Sequence, residues 1–410
     1  MSYYQGNLTG GTPGLLPDGY YWWECGAMFG QLISYWYYTG DTTYNENVLD
    51  GMMFQTGPDN DFMPQNQTTT EGNDDQVFWA FAAMSAAENK FPDPPSGKPS
   101  WLALAQAVFN EQVSRWDTAA CNGGLRWQIY SFNSGYNYKQ TVSNGGLFAL
   151  GARLARYTGN TTYSDWAEKV WDWMAASPLL TADLLLYDGT STTVNCSTPD
   201  TLLWTYNQGV FISGAAFMYN YTNGSAIWEQ RLTGLLNSSS AYLKGNVMSE
   251  VTCEPTLNCN TDEVTFKGFF AQWLAQTTQL ASFTTDTIMP ILQASAEAAA
   301  KSCSGGSDGV TCGMTWLTGS WDGKYGVGEQ MSAMSVFQAN LIGGVTGPVT
   351  STTGGTSKGD ASAGTGSSAT KDPYVLGNIT TGDRAGAGIL TVLVLVGVIG
   401  GTLWLIAGPG

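Results

Sequence analysis

The chain has 410 residues, with 33 Asp and Glu against 16 Lys and Arg, a net charge of −17 and no histidine. The acidic balance and the lack of any basic stripe argue against nucleic acid as a partner and against an electrostatic hold on an anionic membrane. Without imidazole there is no Ser-His-Asp or Cys-His relay and no His-ligated metal, so proton transfer must rest on carboxylates, tyrosines, lysines or a cysteine, and neither a metal nor a cofactor is expected.

Met1-Ser2-Tyr3-Tyr4 reads as the last turn of a helix beginning before the chain does. From Tyr20 to Leu341 one unit repeats: an apolar helix, a short polar turn, then a second amphipathic helix. Apolar positions step by three or four, as in Leu147, Leu150, Leu154 and in Phe211, Ala215, Met218 and in Ile288, Leu292, Ala296. The clearest echo is Tyr38-Thr39-Gly40-Asp41-Thr42-Thr43-Tyr44 against Tyr157-Thr158-Gly159-Asn160-Thr161-Thr162-Tyr163. In both, Gly is expected to close the first helix and Thr to cap the next. Five complete hairpins and an incomplete sixth, around Met331, Met334, Phe337 and Leu341, predict an all-α fold, an (α/α)6 toroid whose inner helices are wrapped by outer ones. Strand signals are few; Leu184–Tyr187 reads as a short loop hairpin. Long loops over 56–73, 117–144, 178–206 and 302–328 are expected to form a cleft on one face of the ring.

Asn73-Asp74-Asp75-Gln76 stands where the first of these loops enters a helix. Two carboxylates are what glycoside hydrolysis needs, one as acid/base and one as nucleophile or base. The same four residues also make an ordinary helix start, with Asn73 as N-cap, Gln76 at the third position and the two aspartates answering the helix dipole. Sixteen Trp and 20 Tyr interleaved with Asn, Gln and Gly suit sugar recognition, although a large helical core also consumes such side chains.

Eight Asn-x-Ser/Thr sequons, at Asn7, Asn66, Asn160, Asn195, Asn220, Asn223, Asn237 and Asn378, favour a secretory route. The seven cysteines agree with it: Cys253 with Cys259 and Cys303 with Cys312 bracket short loops, Cys121 and Cys196 form the third expected pair, and Cys25 is left over in an apolar run. Residues 1–345 are expected to be the toroid, 346–388 a disordered Gly/Ser/Thr-rich stalk, and 389–410 an apolar tail. The tail is long enough to span a membrane, but nothing basic follows it, and small residues with a polar spacer before it fit a GPI-attachment signal better. Asn378, Gly382 and earlier serines compete as the attachment point.

The run Asn73-Asp74-Asp75-Gln76-x-Phe78-Trp79-x-x-Ala82-Ala83-Met84-x-Ala86-Ala87-Glu88 resembles the signature of glycoside hydrolase family 76, the endo-α-1,6-mannanases. Cys121–Trp127, Ser143–Gly146, Tyr187–Gly189, Trp204–Gly209 and Phe266–Gly268 match in order, so the likeness spans about residues 1–345. With stalk and tail it resembles the fungal GPI-anchored branch of cell-wall biogenesis. The resemblance implies a retaining mechanism with Asp74 as nucleophile, held ionised by the helix N-terminus, and Asp75 as general acid/base with a raised pKa. It also implies α-1,6-mannan or a GPI-core glycan as donor, wall glucan as acceptor, membrane attachment by a lipid anchor, and a monomer. Trp127, Trp321 and Tyr206 are candidate sugar contacts, as is Trp79 with core packing as its alternative, and so are Asn144, Asp188, Asn207, Gln208 and Lys267, each with a capping, turn or ion-pair role as its alternative. A non-catalytic, GPI-tethered mannan-binding wall protein is the competing reading, and a binder has no need of the adjacent acid pair.

Overall fold

The computed structural model describes residues 1–366 and 381–408. In the first unit, which ends at Thr370, helices alternate between an inner and an outer layer. The pairs are α1 (Trp22–Thr39) with α2 (Asn45–Phe54), α3 (Asn73–Asn89) with α4 (Trp101–Ser114), α5 (Thr141–Thr158) with α6 (Thr161–Ala176), α7 (Thr205–Tyr221) with α8 (Ala226–Ser238), and α9 (Phe266–Leu280) with α10 (Thr285–Ser302). The unpaired α11 (Val327–Ala339) follows. Each odd-numbered helix packs on the next, and α11 returns to α1, so six inner helices close a ring. The expected toroid is therefore present, with five outer helices among the described residues. Met1–Tyr4 forms a single hydrogen-bonded turn, with Tyr4 set edge-on to Phe29.

Burial explains which layer each helix occupies. Helices α3, α5 and α7 are buried around nearly their whole circumference, as inner helices must be, whereas α6 and α10 bury one stripe. Glycines let the inner layer close: a Cβ on Gly268 would come within 2.8 Å of the Ser332 Cα on the neighbouring helix. Trp79 is fully buried between Trp22, at 5.0 Å, and Phe62, at 5.5 Å, so it belongs to the core and not to a sugar site.

The two echoed turns end as expected, with Gly40 and Gly159 left-handed at φ 74° and 73°. Their caps differ from expectation. Asn160, not a threonine, caps α6 by accepting the Thr162 N–H, and Thr158 Oγ1 instead accepts the Asn160 N–H. Leu184–Tyr187 folds back on Leu179–Thr181 as the expected short loop hairpin, with the Thr181 N–H on Leu185 O, the Tyr187 N–H on Leu179 O and an isolated antiparallel bridge between Leu180 and Leu186 in place of a regular strand. The regular strands are short: β1 (Tyr138–Gln140), β2 (Gly189–Ser191) and β3 (Pro199–Asp200) form one antiparallel sheet that ties loop 117–144 to loop 178–206. The Cys121–Cys196 disulfide ties the same two loops, and buried Lys139 gathers the carbonyls of Asp117, Ala120, Gly123 and Gly124. Cys253–Cys259 and Cys303–Cys312 are also bonded, and Cys25 is free and buried, as the spacing implied. A second hairpin joins β4 (Leu243–Lys244) to β5 (Val247–Met248).

Residues 346–366 differ from the expected disordered stalk. Their backbone is bonded to the toroid: the Val349 N–H donates to Glu88 O, the Ser351 N–H to Tyr157 O, and the Asp360 N–H to Gln106 Oε1. Poor apolar content rules out an independent core but not adhesion to a surface that supplies the hydrogen-bond partners. The stalk's remainder through residue 380, with the candidate attachment point Asn378, lies outside the described residues. In the second unit, α12 (Thr381–Ile406) contains Arg384–Leu403, long and apolar enough to cross a membrane, with a mean hydropathy of 2.2.

Candidate active site

The inner helices all start at the same end of the ring, and the loops before them make a cleft of about 300 Å³ there. Tyr21, Trp23, Thr70, Asp74, Asp75, Phe78, Trp127, Gln128, Gln140, Tyr206, Asp262 and Phe266 line it.

Helix α3 begins one residue earlier than the sequence implies. Gly72 is the N-cap and Asn73 the first helical residue, which puts Asp74 and Asp75 at the second and third positions. Asp75, not Gln76, completes the capping box: its Oδ2 accepts the Gly72 N–H at 2.6 Å. Asn73 is released from capping and fastens the helix start. Its N–H donates to Trp127 O at 2.8 Å, its amide to Arg126 O at 2.9 Å, and its Oδ1 accepts Arg115 at 3.1 Å. Gln76 points away from the cleft, donating to Glu111 at 2.7 Å and Asp61 O at 2.8 Å and accepting Arg115 at 2.6 Å. The Arg115–Glu111 ion pair, at 2.7 Å, completes this clamp between the start of α3 and the end of α4. The pair of aspartates is thus set on a rigid first turn, and both open to the cleft.

Both carboxyls are pushed upward, which corrects the expectation of a low pKa at Asp74. Burial is the main cause at Asp74, followed by the charge of Asp75, and the backbone N–H groups of the helix start offset only part of it. Asp75 is pushed up to about 7 by burial, against the stabilising Gly72 N–H and with a further push from Asp262. Asp74 Oδ1 is buried and accepts no hydrogen bond. The dipole at a helix end is worth under about 1–2 kcal/mol, and desolvation beside a second carboxylate outweighs it.

Asp262 is the residue that sequence reasoning missed. It lies just before α9, accepts the Trp23 indole N–H at 2.9 Å, and has a pKa raised to about 6 by burial. The signal was present: an Asn-Thr-Asp-Glu run shortly before an inner helix repeats the placement of the Asp74-Asp75 pair. Loop 302–328, expected to border the cleft, contributes none of its lining, and the loop before α9 takes that place.

Of the other candidates, Trp127 and Tyr206 line the cleft. The Tyr206 ring stacks on Phe266 at 3.7 Å with a 5° interplanar angle, and its hydroxyl accepts from Gln140 at 3.2 Å. Asp188 and Asn207 stand outside the lining: Asp188 accepts Tyr138 Oη–H at 2.8 Å and the Asn207 amide at 3.2 Å. Three candidates are fasteners. Asn144 accepts the Leu125 N–H and donates to Leu125 O and Gln140 O. Gln208 bonds Leu184 O, Leu235 O and Ser238. Lys267 is buried in an ion pair with Glu254 at 2.6 Å and faces the Trp316 ring at 4.2 Å. Trp321 sits in an outer loop with its indole N–H on Lys324 O at 2.7 Å. Among the described residues one acid–cysteine cluster, Cys253, Cys259 and Glu263, has metal-like spacing, but its two cysteines are bonded to each other.

The description of glycosyl hydrolase family 76 matches residues 1–352. The chain belongs to that family. It is 49% identical over 408 residues to the mannan endo-1,6-alpha-mannosidase DCW1 of Saccharomyces cerevisiae, covering 99% of this chain and 90% of the relative. The crystal structure of Dfg5 from Chaetomium thermophilum in complex with glucosamine superposes with a TM-score of 0.86 at 45% identity, over 89% of this chain and 92% of that one. An inactive variant of the α-1,6-mannanase GH76A of Salegentibacter sp., in complex with α-1,6-mannotriose, shares the fold with a TM-score of 0.66 at 16% identity, over 81% of this chain and 94% of that one. Membership of family 76 makes this toroid a glycoside hydrolase, and its cleft is the place where Asp74 and Asp75 meet solvent.

Proposed function

We propose that this family 76 enzyme cleaves α-1,6-linked mannosides with retention, as a mannanase or transglycosylase of the fungal cell wall. The observation that carries the reading is the adjacent acid pair on one helical turn at the floor of an aromatic-lined cleft. Asp74 attacks the anomeric carbon while Asp75 gives its proton to the departing glycosidic oxygen, leaving a mannosyl ester on Asp74 and a carboxylate at Asp75. Asp75 then takes a proton from water or from an acceptor hydroxyl, whose oxygen attacks the anomeric carbon and frees Asp74.

Burial and mutual repulsion leave the pair room for one proton. The positive charge that develops at the anomeric carbon favours ionised Asp74, so the proton rests on Asp75 when it is needed there. Asp262 brings a third carboxylate into the cleft, suited to accept a mannose hydroxyl. Trp127 and Tyr206 offer ring faces to the apolar side of a pyranose. Relatives named as mannan endo-1,6-alpha-mannosidases support the substrate class.

The donor in this reading is α-1,6-mannan or the mannose-bearing core of a GPI glycan, with wall glucan as the acceptor of a transfer. The enzyme works as a monomer in the secretory pathway and at the cell surface, where the apolar tail directs GPI attachment. Incubation with α-1,6-mannan or a GPI-glycan fragment, with and without glucan oligosaccharides, followed by mass analysis, tests this. Shortened mannans alone indicate hydrolysis, mannose–glucan adducts indicate transfer, and no product from either donor refutes the reading.

A further inference from the structure

Beside the Cys121–Cys196 disulfide lies a pocket of about 170 Å³, walled by Asn122, Trp173, Pro178 and Asn195 together with the disulfide itself. It shares no lining residue with the catalytic cleft. Asn195 closes a 3₁₀ turn (Thr192–Val194) in the left-handed region at φ 51°, and Asn122 is left-handed at φ 56°. Asparagine is among the few side chains that accept such backbone readily. Trp173, on α6, is pinned at the crossing by its indole N–H, which donates to Cys121 O at 3.0 Å.

The lining has the chemistry of a small sugar site. Trp173 and Pro178 give an apolar wall, and Asn122 and Asn195 give amides that make no side-chain hydrogen bond among the described residues. The volume falls below the roughly 300–1,000 Å³ of pockets for drug-sized ligands, which suits a single sugar ring. Asn195 itself says which sugar. It is exposed, and Asn195-Cys196-Ser197 is an acceptor for N-linked glycan. Asn220, in another sequon, is differently placed. Its side chain accepts Arg156 Nε–H at 2.7 Å and donates to Leu280 O at 3.0 Å, inside the contact of α5, α7 and α9.

We propose that Asn195 carries an N-linked glycan whose first N-acetylglucosamine sits in this pocket against Trp173 and locks the disulfide crossing. The modification joins Asn195 Nδ2 to the anomeric carbon of a polyprenyl-diphosphate oligosaccharide. The anomeric C–O bond breaks, the diphosphate leaves with the electron pair, and the amide releases one proton. The inference rests on the secretory reading above. Its consequence reaches the active site from outside, because the crossing holds loop 117–144, whose Trp127, Gln128 and Gln140 line the cleft.

The test produces the full chain in a yeast host behind a cleavable secretion leader. Peptide mass spectrometry after peptide N-glycosidase treatment in heavy-oxygen water should find Asn195 converted to labelled aspartate. Ser197 Oγ–H bonds only Val194 O, so Ser197→Ala removes the sequon gently and Ser197→Thr keeps it. Ser197→Ala should lower the melting temperature by about 2 °C or more and speed reduction of Cys121–Cys196 by dithiothreitol, whereas Ser197→Thr should match wild type. Trimming wild type with endoglycosidase H, which leaves one N-acetylglucosamine, should preserve its advantage over Ser197→Ala treated alike. Asn195→Gln, with Ser197 in place, repeats the comparison should Ser197→Ala not fold. An unmodified Asn195 in a protein glycosylated elsewhere overturns the proposal. So does a glycan at Asn195 whose loss alters neither the melt nor the reduction rate. A protein with no N-glycan at any sequon refutes the secretory reading instead.

Discussion

Asp75 closes the first turn of its own helix on Gly72, whose N–H it accepts at 2.6 Å. One carboxylate thus serves as helix cap and, in the proposed mechanism, as acid/base. The hydrogen bond fixes the rotamer that faces the cleft while leaving the second oxygen for the substrate.

Asp74→Asn and Asp75→Asn should each abolish turnover, since members of a cooperating pair are nearly as costly to lose singly as together. An amide at position 75 still accepts the Gly72 N–H, and even a lost cap costs only about 1 kcal/mol. Melting temperature should therefore hold within a few degrees. Wild-type rates in either variant on a confirmed mannoside would remove the assignment.

Gly72→Ala places a methyl group 2.3 Å from Asp74 Oδ1 and 3.1 Å from Trp127 O. The backbone there, at φ −93°, accepts any residue, so the effect is a collision with Asp74, the proposed nucleophile, and not strain in the chain. A displacement of about 1 Å at a reacting group costs roughly a hundredfold. A folded Gly72→Ala protein with full kcat would show that Asp74 need not hold this position.

Asp262→Asn should lower kcat/KM by about ten- to a hundredfold, the worth of a hydrogen bond to a charged group. The alkaline limb of the pH–rate profile should also shift downward. The Asp262 charge helps raise the pKa of Asp75, so removing it lets Asp75 lose its proton at lower pH. A wild-type profile and rate would mean that Asp262 neither touches substrate nor tunes the pair.

Lys267→Ala should destabilise the fold by about 3–5 kcal/mol by stranding Glu254 in the interior. The double variant Lys267→Met/Glu254→Gln should recover much of that loss. Its KM should remain near wild type, because Lys267 does not line the cleft. A large rise in KM with unchanged stability would return Lys267 to substrate binding.

Stability should decline as pH rises from about 4 to about 8. Glu24 and Glu250 are pushed up to about 8 and Asp75 to about 7, with Glu71 raised as well, all chiefly by burial. In that window the folded chain holds protons that the unfolded chain has released. This stabilisation is complete below the ordinary carboxyl range and is lost as pH passes the folded values. Asp41, Asp117 and Asp360 are shifted the other way and act only at more acid pH. Thermal melts between pH 4.5 and 8.5 that rise with pH would contradict this account.

Local rules were enough to read the hairpins, the Gly40 and Gly159 helix ends, the Cys253–Cys259 and Cys303–Cys312 disulfides and the acid pair, because each is written within a few residues or by a simple period. The absence of histidine narrowed proton transfer to carboxylates, tyrosines, lysines or a cysteine. What only the tertiary structure decided depends on contacts between distant segments. Whether Lys267 meets a sugar or Glu254 was open until the loop before α9 was placed. Asp262 came to the acid pair because Trp23, 239 residues away in sequence, holds it there. The capping shift from Asn73 to Gly72 followed from Arg115, Arg126 and Trp127 claiming the Asn73 side chain and backbone. The pKa of Asp74 rose because burial by other helices outweighs the local dipole. The low-complexity segment 346–366 showed no core of its own in sequence, and it is held by hydrogen bonds to α3, α5 and α4. Periodicity and caps are local properties, whereas burial, charge pairing and adhesion belong to the folded surface.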